Sequence, residues 1–316
     1  MNKRNLILLA VLLILIIGLT ISRSCENVEK VIKVFSFKTD EIVKIEIIQQ
    51  ENKIILLQEN DSWFITEPIN APVKESQINR FYDTYLALNI SSIPVSESFS
   101  RQNFYNVDST GVIVELYAKN NKILSKVIHG KSQNNPNVNY LRKEGSNSIY
   151  QTDNISSIIT TNLNSWREDK LLLFDEVMLQ KITIAKNEHS FSFAKSDEYW
   201  TCEIDNEFYP ISSENQDWTR NLNALLNLRT TTFFDHEFEK YEENLENAPL
   251  QILFQLFSGE LITLKIAQID DNFYVAQKND ELETLYRLTN SQFNQLNIDP
   301  QIFKSIPHPV DDEGII

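Results

Sequence analysis

The stretch "NDSWFITEPINAPV" at residues 60–73 decides the fold, because the chain contains a degenerate copy of it, "DEYWTCEIDNEFYPI" at residues 197–211. In both stretches an acidic turn leads to a tryptophan, a short run with strand character, an acidic residue and a proline. Trp63 and Trp200 are 137 positions apart. The copy marks either an active site or a structural unit that the chain uses twice.

Runs of alternating apolar residues precede both tryptophans at the same spacing. The run "IVKIEII" (42–48) matches "LQKITIA" (179–185), and "KIILLQ" (53–58) matches "SFSFAK" (190–195). Alternation of apolar and polar residues with a period of two is typical of half-buried strands. Each half of the chain is therefore predicted to begin with a three-stranded antiparallel meander.

A change of periodicity follows the proline of each stretch. After Pro72 and Pro210, apolar residues recur at helical spacing, which predicts an amphipathic helix in each half. A second set of strand-like runs follows and places Tyr150 and Tyr286 at equivalent positions before a final short helix. Each unit is thus predicted as three strands, a helix, a variable loop, four strands and a short helix.

The repeated element order predicts an α+β protein in which a transmembrane helix precedes two tandem repeats of antiparallel β-sheet with covering helices. The predicted joint between the repeats is "SWREDKLLLF". The predicted segments are a transmembrane signal anchor at 1–22, a juxtamembrane linker at 23–40, repeats at 41–174 and 175–307, and a polar tail at 308–316.

The N-terminus predicts attachment to a membrane. Residues 5–22 form an uncharged, mostly apolar run, and a helix needs about 17 to 25 residues to cross a hydrocarbon core. Lys3 and Arg4 precede the run, whereas Arg23 is soon followed by acidic residues. This charge bias puts the N-terminus in the cytoplasm and residues 23–316 on the opposite side of the membrane.

Two alternatives to an uncleaved anchor stay open. Ser22 and Ser24 before Cys25 suit a cleaved signal peptide, although the apolar run is longer than the usual core of such peptides. Cys25 also suits lipoprotein processing, although Ser22, Arg23 and Ser24 do not form an apolar and small lipobox. The second cysteine, Cys202, lies in a predicted strand, so the two cysteines predict neither a disulfide framework nor a zinc site.

The composition argues against several functions. A formal charge of −15 disfavours nucleic-acid binding, which needs clustered Lys and Arg side chains. With only six glycines, the chain lacks the Gly-rich dinucleotide and P-loop motifs and has no G-x-S-x-G nucleophile elbow. We therefore expect no nucleotide chemistry and no cofactor.

The titratable residues predict no catalytic or metal site. The four histidines are scattered, without an H-E-x-x-H motif, at positions 129, 189, 236 and 308. We expect His129, at the end of a strand, to lie on the surface or half-buried. His236 stands in the acidic run "DHEFEKYEENLE" (235–246), but the spacing of a calcium loop is missing, which favours a solvated helix face.

Six residues are predicted to be structural anchors. The tryptophans and tyrosines fall at core spacing on predicted strands and helices, which favours packing over stacking against a sugar or peptide. Arg167, at the predicted joint, is expected to link the repeats by pairing with a carboxylate or by capping a helix. The anchors are Trp63, Trp200, Trp166, Arg167, Tyr150 and Tyr286.

The chain resembles the uncharacterised domain-of-unknown-function family numbered 4340, which is found in bacterial envelope proteins. The resemblance covers most of residues 40–300. It departs at "NFYNVDSTG", where a Tyr-Gly-Leu-like turn is usual. The features that carry it are the N-terminal anchor, "W-x-I-T-x-P" from Trp63 to Pro68, a helix that ends near "LALNISSIP", the hairpin "YLRKEGSNSIY" and the joint "SWREDKLLLF".

This resemblance implies a role in the cell envelope, because members are often encoded beside ABC transporter subunits similar to those of gliding-motility systems. It implies no catalytic residues. We therefore expect a non-enzymatic accessory or binding protein, single-pass in the bacterial inner (cytoplasmic) membrane, with residues 23–316 facing the periplasm or the cell exterior. The expected partners are the lipid bilayer, through residues 5–22, and membrane or envelope proteins, with ABC transporter subunits among the candidates.

The alternative function is that of an envelope hydrolase, with carboxylate or metal chemistry in a cleft between the repeats. A pair of carboxylates that flank a cleft is the one catalytic arrangement that could be present in such a sequence without a recognisable motif. The chain has 44 Asp and Glu residues, so the sequence does not select a pair.

Overall fold

The computed structural model of the protein describes residues 30–187, 189–196, 199–230 and 232–304. The predicted membrane span at 5–22 and the predicted tail at 308–316 lie outside the described residues. No helix within these ranges is long and apolar enough to cross a membrane. The chain divides between Glu168 and Asp169 into two compact units.

Both units consist mainly of antiparallel strands with a few short helices, so the α+β class with two large antiparallel sheets is confirmed. In the first unit the strands are β1 (Val31–Lys33), β2 (Lys44–Gln49), β3 (Asn52–Glu59), β4 (Ser62–Glu67), β5 (Ala71–Pro72), β6 (Asn89–Ser91), β7 (Val112–Ala118), β8 (Lys122–Lys131), β9 (Val138–Lys143) and β10 (Ile149–Asp153). Its helices are α1 (Glu75–Arg80), which continues as a π-helix (Phe81–Leu86), and α2 (Leu163–Trp166).

The second unit follows the same order from the first strand of its large sheet onward, with one added helix before its last four strands. Its strands are β11 (Leu179–Lys186), β12 (His189–Lys195), β13 (Trp200–Ile204), β14 (Glu207–Ile211), β15 (Phe233–Asp235), β16 (Leu250–Leu256), β17 (Leu261–Gln268), β18 (Phe273–Lys278) and β19 (Thr284–Thr289). Its helices are α3 (Gln216–Leu226), α4 (Phe238–Glu246) and α5 (Asn290–Leu296). Short 3₁₀ turns occupy Thr39–Glu41, Phe99–Arg101, Lys119–Asn121, Glu176–Met178 and Pro300–Phe303.

The two large sheets share one strand order. In the first unit it is β10-β9-β8-β7-β2-β3-β4-β5, and in the second it is β19-β18-β17-β16-β11-β12-β13-β14, with β15 added beside β19. Ile45 pairs with residues of β3 and β7, and Ile182 pairs in the same way with residues of β12 and β16. The constant spacing between the two halves of the sequence therefore puts matched residues at the same place in their sheets.

Tyr150 and Tyr286, which were predicted to be equivalent, each end a row of residues that are paired across the strands of their own sheet. Each row crosses four neighbouring strands of its sheet, and the register is unbroken along it. In the second row the place of His129 is taken by Ile266. The rows are Val112, His129, Leu141 and Tyr150 in the first unit, and Leu250, Ile266, Ala276 and Tyr286 in the second.

Each opening meander has four strands, whereas the sequence predicted three. The fourth strands, β5 and β14, contain Pro72 and Pro210, the residues that were interpreted as turns into a helix. Proline lacks the N–H group that a central strand needs, but it is tolerated at the edge of a sheet. Both strands are edge strands, which explains how a proline-containing segment still pairs.

Part of the predicted linker at 23–40 is folded. Val31–Lys33 form β1, which pairs with β6 in a small two-stranded sheet. Val34 and Phe35 follow β1 and are buried in the core of the first unit. The sequence interpretation missed this segment because its short apolar run lies among the charged residues of the predicted linker.

The residues at the end of the predicted first repeat pack in the other unit. Leu171, Leu172 and Phe174, which the sequence interpretation placed before residue 175, are buried in the core of the second unit. Their positions agree with the division of the chain between Glu168 and Asp169.

Each core lies between one face of the large sheet and its helices. In the first unit, Phe81 and Tyr85 on the π-helix are fully buried against the sheet. In the second unit, Trp218 and Leu222 on α3 have the same role, together with Phe303. The amphipathic helices predicted after Pro72 and Pro210 thus supply the cover of the two sheets.

Gly130 in β8 has no space for a side chain. A Cβ atom at this position would lie 1.9 Å from the carbonyl oxygen of Tyr105 and 2.8 Å from backbone atoms of Asn106. We expect Gly130→Ala to lower the free energy of unfolding by at least about 1 to 3 kcal/mol, because the turn at 103–107 must move away from β8. Urea unfolding of the purified protein would measure the loss.

The matched control is Ala267, which follows Ile266 in β17 as Gly130 follows His129 in β8. Because Ala267 already has a Cβ atom, Ala267→Gly should cost only about 0.5 to 1 kcal/mol through backbone entropy, plus the loss of one buried methyl group. A loss below about 1 kcal/mol in Gly130→Ala would show that the close approach to Tyr105 is unimportant.

Candidate functional site

A cavity of about 200 Å³ opens on the second unit, beside the first half of α3. Its wall includes the ends of β12 and β14, the start of β13 and the turn that leads into the helix. Trp200, Trp218 and Leu222 supply buried apolar surface. The polar lining consists of Glu176, Lys195, Ser212, Ser213, Thr219 and Asn223, and the half-exposed Tyr199 also lines the cavity.

Local sequence signals position the two tryptophans of this cavity. Trp200 is the first residue of β13 and pairs with Lys195 and Ile211 on the neighbouring strands. The side chain of Asn215 caps α3 by accepting the backbone N–H of Trp218 at 2.9 Å. The rings of Trp200 and Trp218 are consequently held 5.1 Å apart, centroid to centroid, at 57°.

Trp218 combines tight packing with an unsatisfied polar group. Its ring lies 4.4 Å from that of Phe193 and 6.1 Å from that of Phe303, and the residue is 4% exposed. The buried indole Nε1 has no hydrogen-bond partner within the described parts of the chain. A buried N–H without an acceptor costs about 1 to 3 kcal/mol.

One ion pair fixes the polar side of the cavity. Lys195 Nζ lies 3.2 Å from Glu176 Oε1, and Trp200 Nε1 donates to the same oxygen at 3.3 Å. Lys195 Nζ also lies 5.6 Å from the centroid of the Trp200 ring. The two charges compensate each other, so the described lining of the cavity has no net charge.

Four exposed apolar side chains lie at one end of the second sheet. Val177 and Met178 immediately precede β11, whereas Phe257 and Leu261 flank the turn between β16 and β17. The backbone N–H of Phe257 donates to the carbonyl of Met178 at 2.9 Å, which brings these segments together. We call these four residues the apolar end surface. Val177 is 75% exposed and Phe257 is 59% exposed.

A buried polar pair lies inside the first unit. The hydroxyl of Tyr85, on the π-helix, is 2.8 Å from Nε2 of His129 on β8. His129 was expected on the surface or half-buried. The structure instead buries its side chain, which faces the core from β8 and is 2% exposed. Burial lowers the pKa of His129 to about 3 and raises that of Tyr85. The pair is closed to solvent, so it has no access to a substrate.

The three predicted tryptophan anchors are buried. Trp63 lies in the core of the first unit, with its ring 6.4 Å from that of Tyr82. Trp166 is fully buried in the same core, and its Nε1 donates to the carbonyl of Thr160 at 2.8 Å. Trp200 is buried in the core of the second unit and also lines the cavity.

The remaining predicted anchors also lie within their own units. Tyr150 and Tyr286 are half-buried against the cores of the first and second unit. Arg167 is 3% exposed, and its backbone forms an isolated bridge with Val73. The interpretation of Arg167 as a link between the repeats stays a prediction.

The other groups singled out in the sequence are not brought together. His189 is exposed and His236 lies in a turn with a φ of 60°, while His308 lies outside the described residues. Within the described ranges, no group of three His, Cys, Asp or Glu side chains could hold a metal ion. Cys202 is buried as a free thiol, and burial raises its pKa to about 12, which makes it a poor nucleophile.

Sequence reasoning missed both the cavity and the apolar end surface. Trp200 and Trp218 were noted only as packing residues, because their shared cavity requires β13 and α3 to be placed side by side. Phe257 and Leu261 had a usable signal, since large apolar residues that flank a Ser-Gly turn are unusual at a hairpin tip.

The fold defines an α+β protein with two large antiparallel sheets and few helices. The chain belongs to the family described as "Domain of unknown function (DUF4340)", whose model matches residues 63–248. The match begins at Trp63 in β4 and ends just after α4. The family resemblance predicted from the sequence is thus confirmed. No curated protein and no solved structure matches the chain.

Proposed function

We propose that the protein is a membrane-anchored, extracytoplasmic accessory protein that works by binding a protein partner in the cell envelope. It is not an enzyme in this proposal. The partners that we favour are subunits of an ABC transporter of the gliding-motility type, because the sequence resembles a family often encoded beside them.

The apolar end surface is the observation that carries this proposal. Large apolar side chains that cluster on a solvent-exposed protein surface favour contact with another protein. Phe and Met are enriched at the centres of such contacts. The surrounding chain is strongly acidic, with a formal charge of −15. Because this charge opposes self-association, a partner that covers the apolar end surface is expected to be a different protein with a less acidic face.

The location of the protein in the proposal rests on its N-terminal sequence. The apolar run at 5–22 is long enough to span a bilayer, and Lys3 and Arg4 favour a cytoplasmic N-terminus. In this arrangement the two units stand on the far side of the membrane, where envelope proteins are within reach.

Crosslinking in intact cells tests partner and location together. A lysine-reactive crosslinker that does not cross the inner membrane should link the protein to transporter subunits, identified by mass spectrometry after purification. The variant Phe257→Ser with Leu261→Ser should reduce the recovered partner about tenfold or more, since buried aromatic anchors dominate binding free energies.

The control for this variant is Phe208→Ser, on edge strand β14. Phe208 is 62% exposed, close to the value for Phe257, but it lies outside the apolar end surface. Its substitution should leave recovery unchanged. Purification of the protein alone, or equal losses with both variants, would contradict the proposed role of this surface. Crosslinking only after the inner membrane is opened would contradict the proposed location.

A further inference from the structure

We infer that β1 and the segment that follows β6 rest on the headgroup region of the membrane in which the chain is anchored. This inference rests on the membrane anchor of the proposed function, but not on its protein partner. It gives the folded first unit a contact with lipid of its own, in addition to the predicted span at 5–22.

Exposed apolar side chains gather around β1. Within the described residues of the first unit, five of the seven large apolar side chains that are exposed lie in β1 or between β6 and Phe99. Val31 and Phe99 are each 75% exposed. We call Val31, Ile93, Val95 and Phe99 the N-terminal apolar surface.

Hydrogen bonds fix the backbone of these residues side by side. The backbone N–H of Lys30 donates to Ser92 Oγ at 3.0 Å, and the N–H of Ser92 donates to the carbonyl of Lys30 at 2.7 Å. Further along, the N–H of Val95 donates to the carbonyl of Ile149 at 2.8 Å. Phe99 follows Val95 by four residues, so it lies within about 14 Å of it. The N-terminal apolar surface is therefore one local region of the first unit.

The register of β1 directs Val31 away from the core. Ile32 pairs with Ile90, and Val31 pairs with Ser91. Successive residues of a strand point to opposite faces, and paired residues share a face. Because Ile90 is buried in the core of the first unit, Val31 and Ser91 lie on the outward face of this strand pair.

The predicted span explains why the bilayer is the surface that these side chains meet. Lys30, the first residue that the structure describes, follows the end of the span at Ser22 by eight residues. Even a fully extended chain of this length covers no more than about 29 Å. Two groups joined by so short a connection meet at a high effective concentration, so a few apolar side chains suffice for contact.

The charges of the same segments suit a bilayer surface. Residues 30–33 and 91–101 contain Lys30, Lys33 and Arg101 but only one acidic side chain, Glu97, and all four are exposed. The whole chain, in contrast, has a formal charge of −15. Apolar side chains that enter the headgroup boundary beside Lys and Arg side chains are typical of segments that lie on a membrane.

Fluorescence quenching in nanodiscs tests the inference on the full chain. The nanodiscs consist of phosphatidylethanolamine and phosphatidylglycerol, and a lipid with a nitroxide near its headgroup is the quencher. Cys25→Ser leaves only Cys202, a buried free thiol, so an added cysteine takes the dye. Dyes on Val31→Cys and on Phe99→Cys should each lose most of their fluorescence when the nitroxide lipid is included.

The matched control is Ser62→Cys in β4. Ser62 is exposed in the same unit, and β4 lies six strands from β10, whose first residue pairs beside Val95, so the separation across the sheet is about 29 Å. A dye at this position should keep its fluorescence. Equal quenching at all three positions, or no quenching at positions 31 and 99, would overturn the inference.

A further variant shows whether the apolar side chains hold the contact. With Ile93→Asp and Val95→Asp in place, the dye on Phe99→Cys should regain most of its fluorescence, because two charges then replace apolar groups at the headgroup boundary. Both positions are exposed, so the first unit should keep its fold. Unchanged quenching in this variant would overturn the inference.

The outcomes separate this contact from the proposed function. A full chain that does not incorporate into nanodiscs would contradict the membrane anchor and, with it, this inference. A chain that incorporates but shows no quenching at positions 31 and 99 would contradict this inference alone. In intact cells, benzoylphenylalanine in place of Val31 should crosslink to lipid, and a crosslink to a protein at this position would overturn the inference while leaving the anchor in place.

Discussion

Replacing Trp166 with alanine is expected to lower the free energy of unfolding of the first unit by about 3 to 5 kcal/mol. The side chain is fully buried, and its ring lies 5.9 Å from that of Phe81 in an edge-on arrangement. Its removal leaves a large cavity beside the π-helix. It also deprives the carbonyl of Thr160 of the indole N–H that donates to it.

Hydrogen exchange with mass spectrometry in increasing urea measures this loss locally. Peptides from the first sheet, such as those that contain β2 and β7, should lose protection at a lower urea concentration in Trp166→Ala. The control is Phe104→Ala, because Phe104 is an aromatic residue of the same unit that is 66% exposed. A loss below about 1 kcal/mol for Trp166→Ala would contradict the burial of this ring against Phe81.

Acid should destabilise the first unit through His129. Burial lowers the pKa of His129 from 6.5 to about 3, so below pH 6.5 the unfolded chain binds a proton that the folded chain does not. The stability that this group contributes is complete above pH 6.5 and is lost as the pH falls towards 3. The loss amounts to about 1.4 kcal/mol for each pH unit in this window.

A double-mutant cycle isolates this contribution. Tyr85→Phe leaves His129 Nε2 without its partner, and His129→Leu leaves the Tyr85 hydroxyl unsatisfied, so each should cost about 1 to 3 kcal/mol at pH 7. The double variant replaces both polar groups and should be close to the wild type at pH 7. At pH 4.5 it should be roughly 2 to 3 kcal/mol more stable than the wild type.

Urea unfolding at pH 7 and pH 4.5, read from the same peptides of the first sheet, gives the comparison. Carboxylates also titrate in this range, but they are common to all variants, so the difference between variants reports on His129. Parallel pH profiles of the wild type and the double variant would contradict the assignment. The presence of Ile266 at the equivalent row position indicates that this fold accepts an apolar residue there.

The sequence predicted the order of the elements well because that order depends on local periodicity. Alternating runs before Trp63 and Trp200 became the opening strands, and helical spacing after Pro72 and Pro210 became the covering helices. The constant spacing between the halves also fixed corresponding positions, since Ile45 and Ile182 have the same neighbours in their sheets.

The failures of the sequence interpretation concern features that only the assembled sheet determines. Whether Pro72 ends a strand or pairs at an edge depends on which strand lies outermost. Whether His129 is buried depends on the register of β8 against β7 and β9. The cavity needs Trp200 and Trp218 to approach from two elements, and no local pattern records that approach.

The place of β2 and β11 in the middle of their sheets has a consequence for how the protein folds. Each of these strands finds one neighbour at once, in the next strand of the chain, but its other neighbour, β7 or β16, is synthesised only after the helix and loop. Closing such a distant pairing costs loop entropy and slows folding. During that delay, one side of an apolar strand stands open to other chains. In the folded sheets, the prolines in β5 and β14 protect these edge strands from pairing with other chains. During synthesis, protection of β2 and β11 depends on how soon β7 and β16 pair with them.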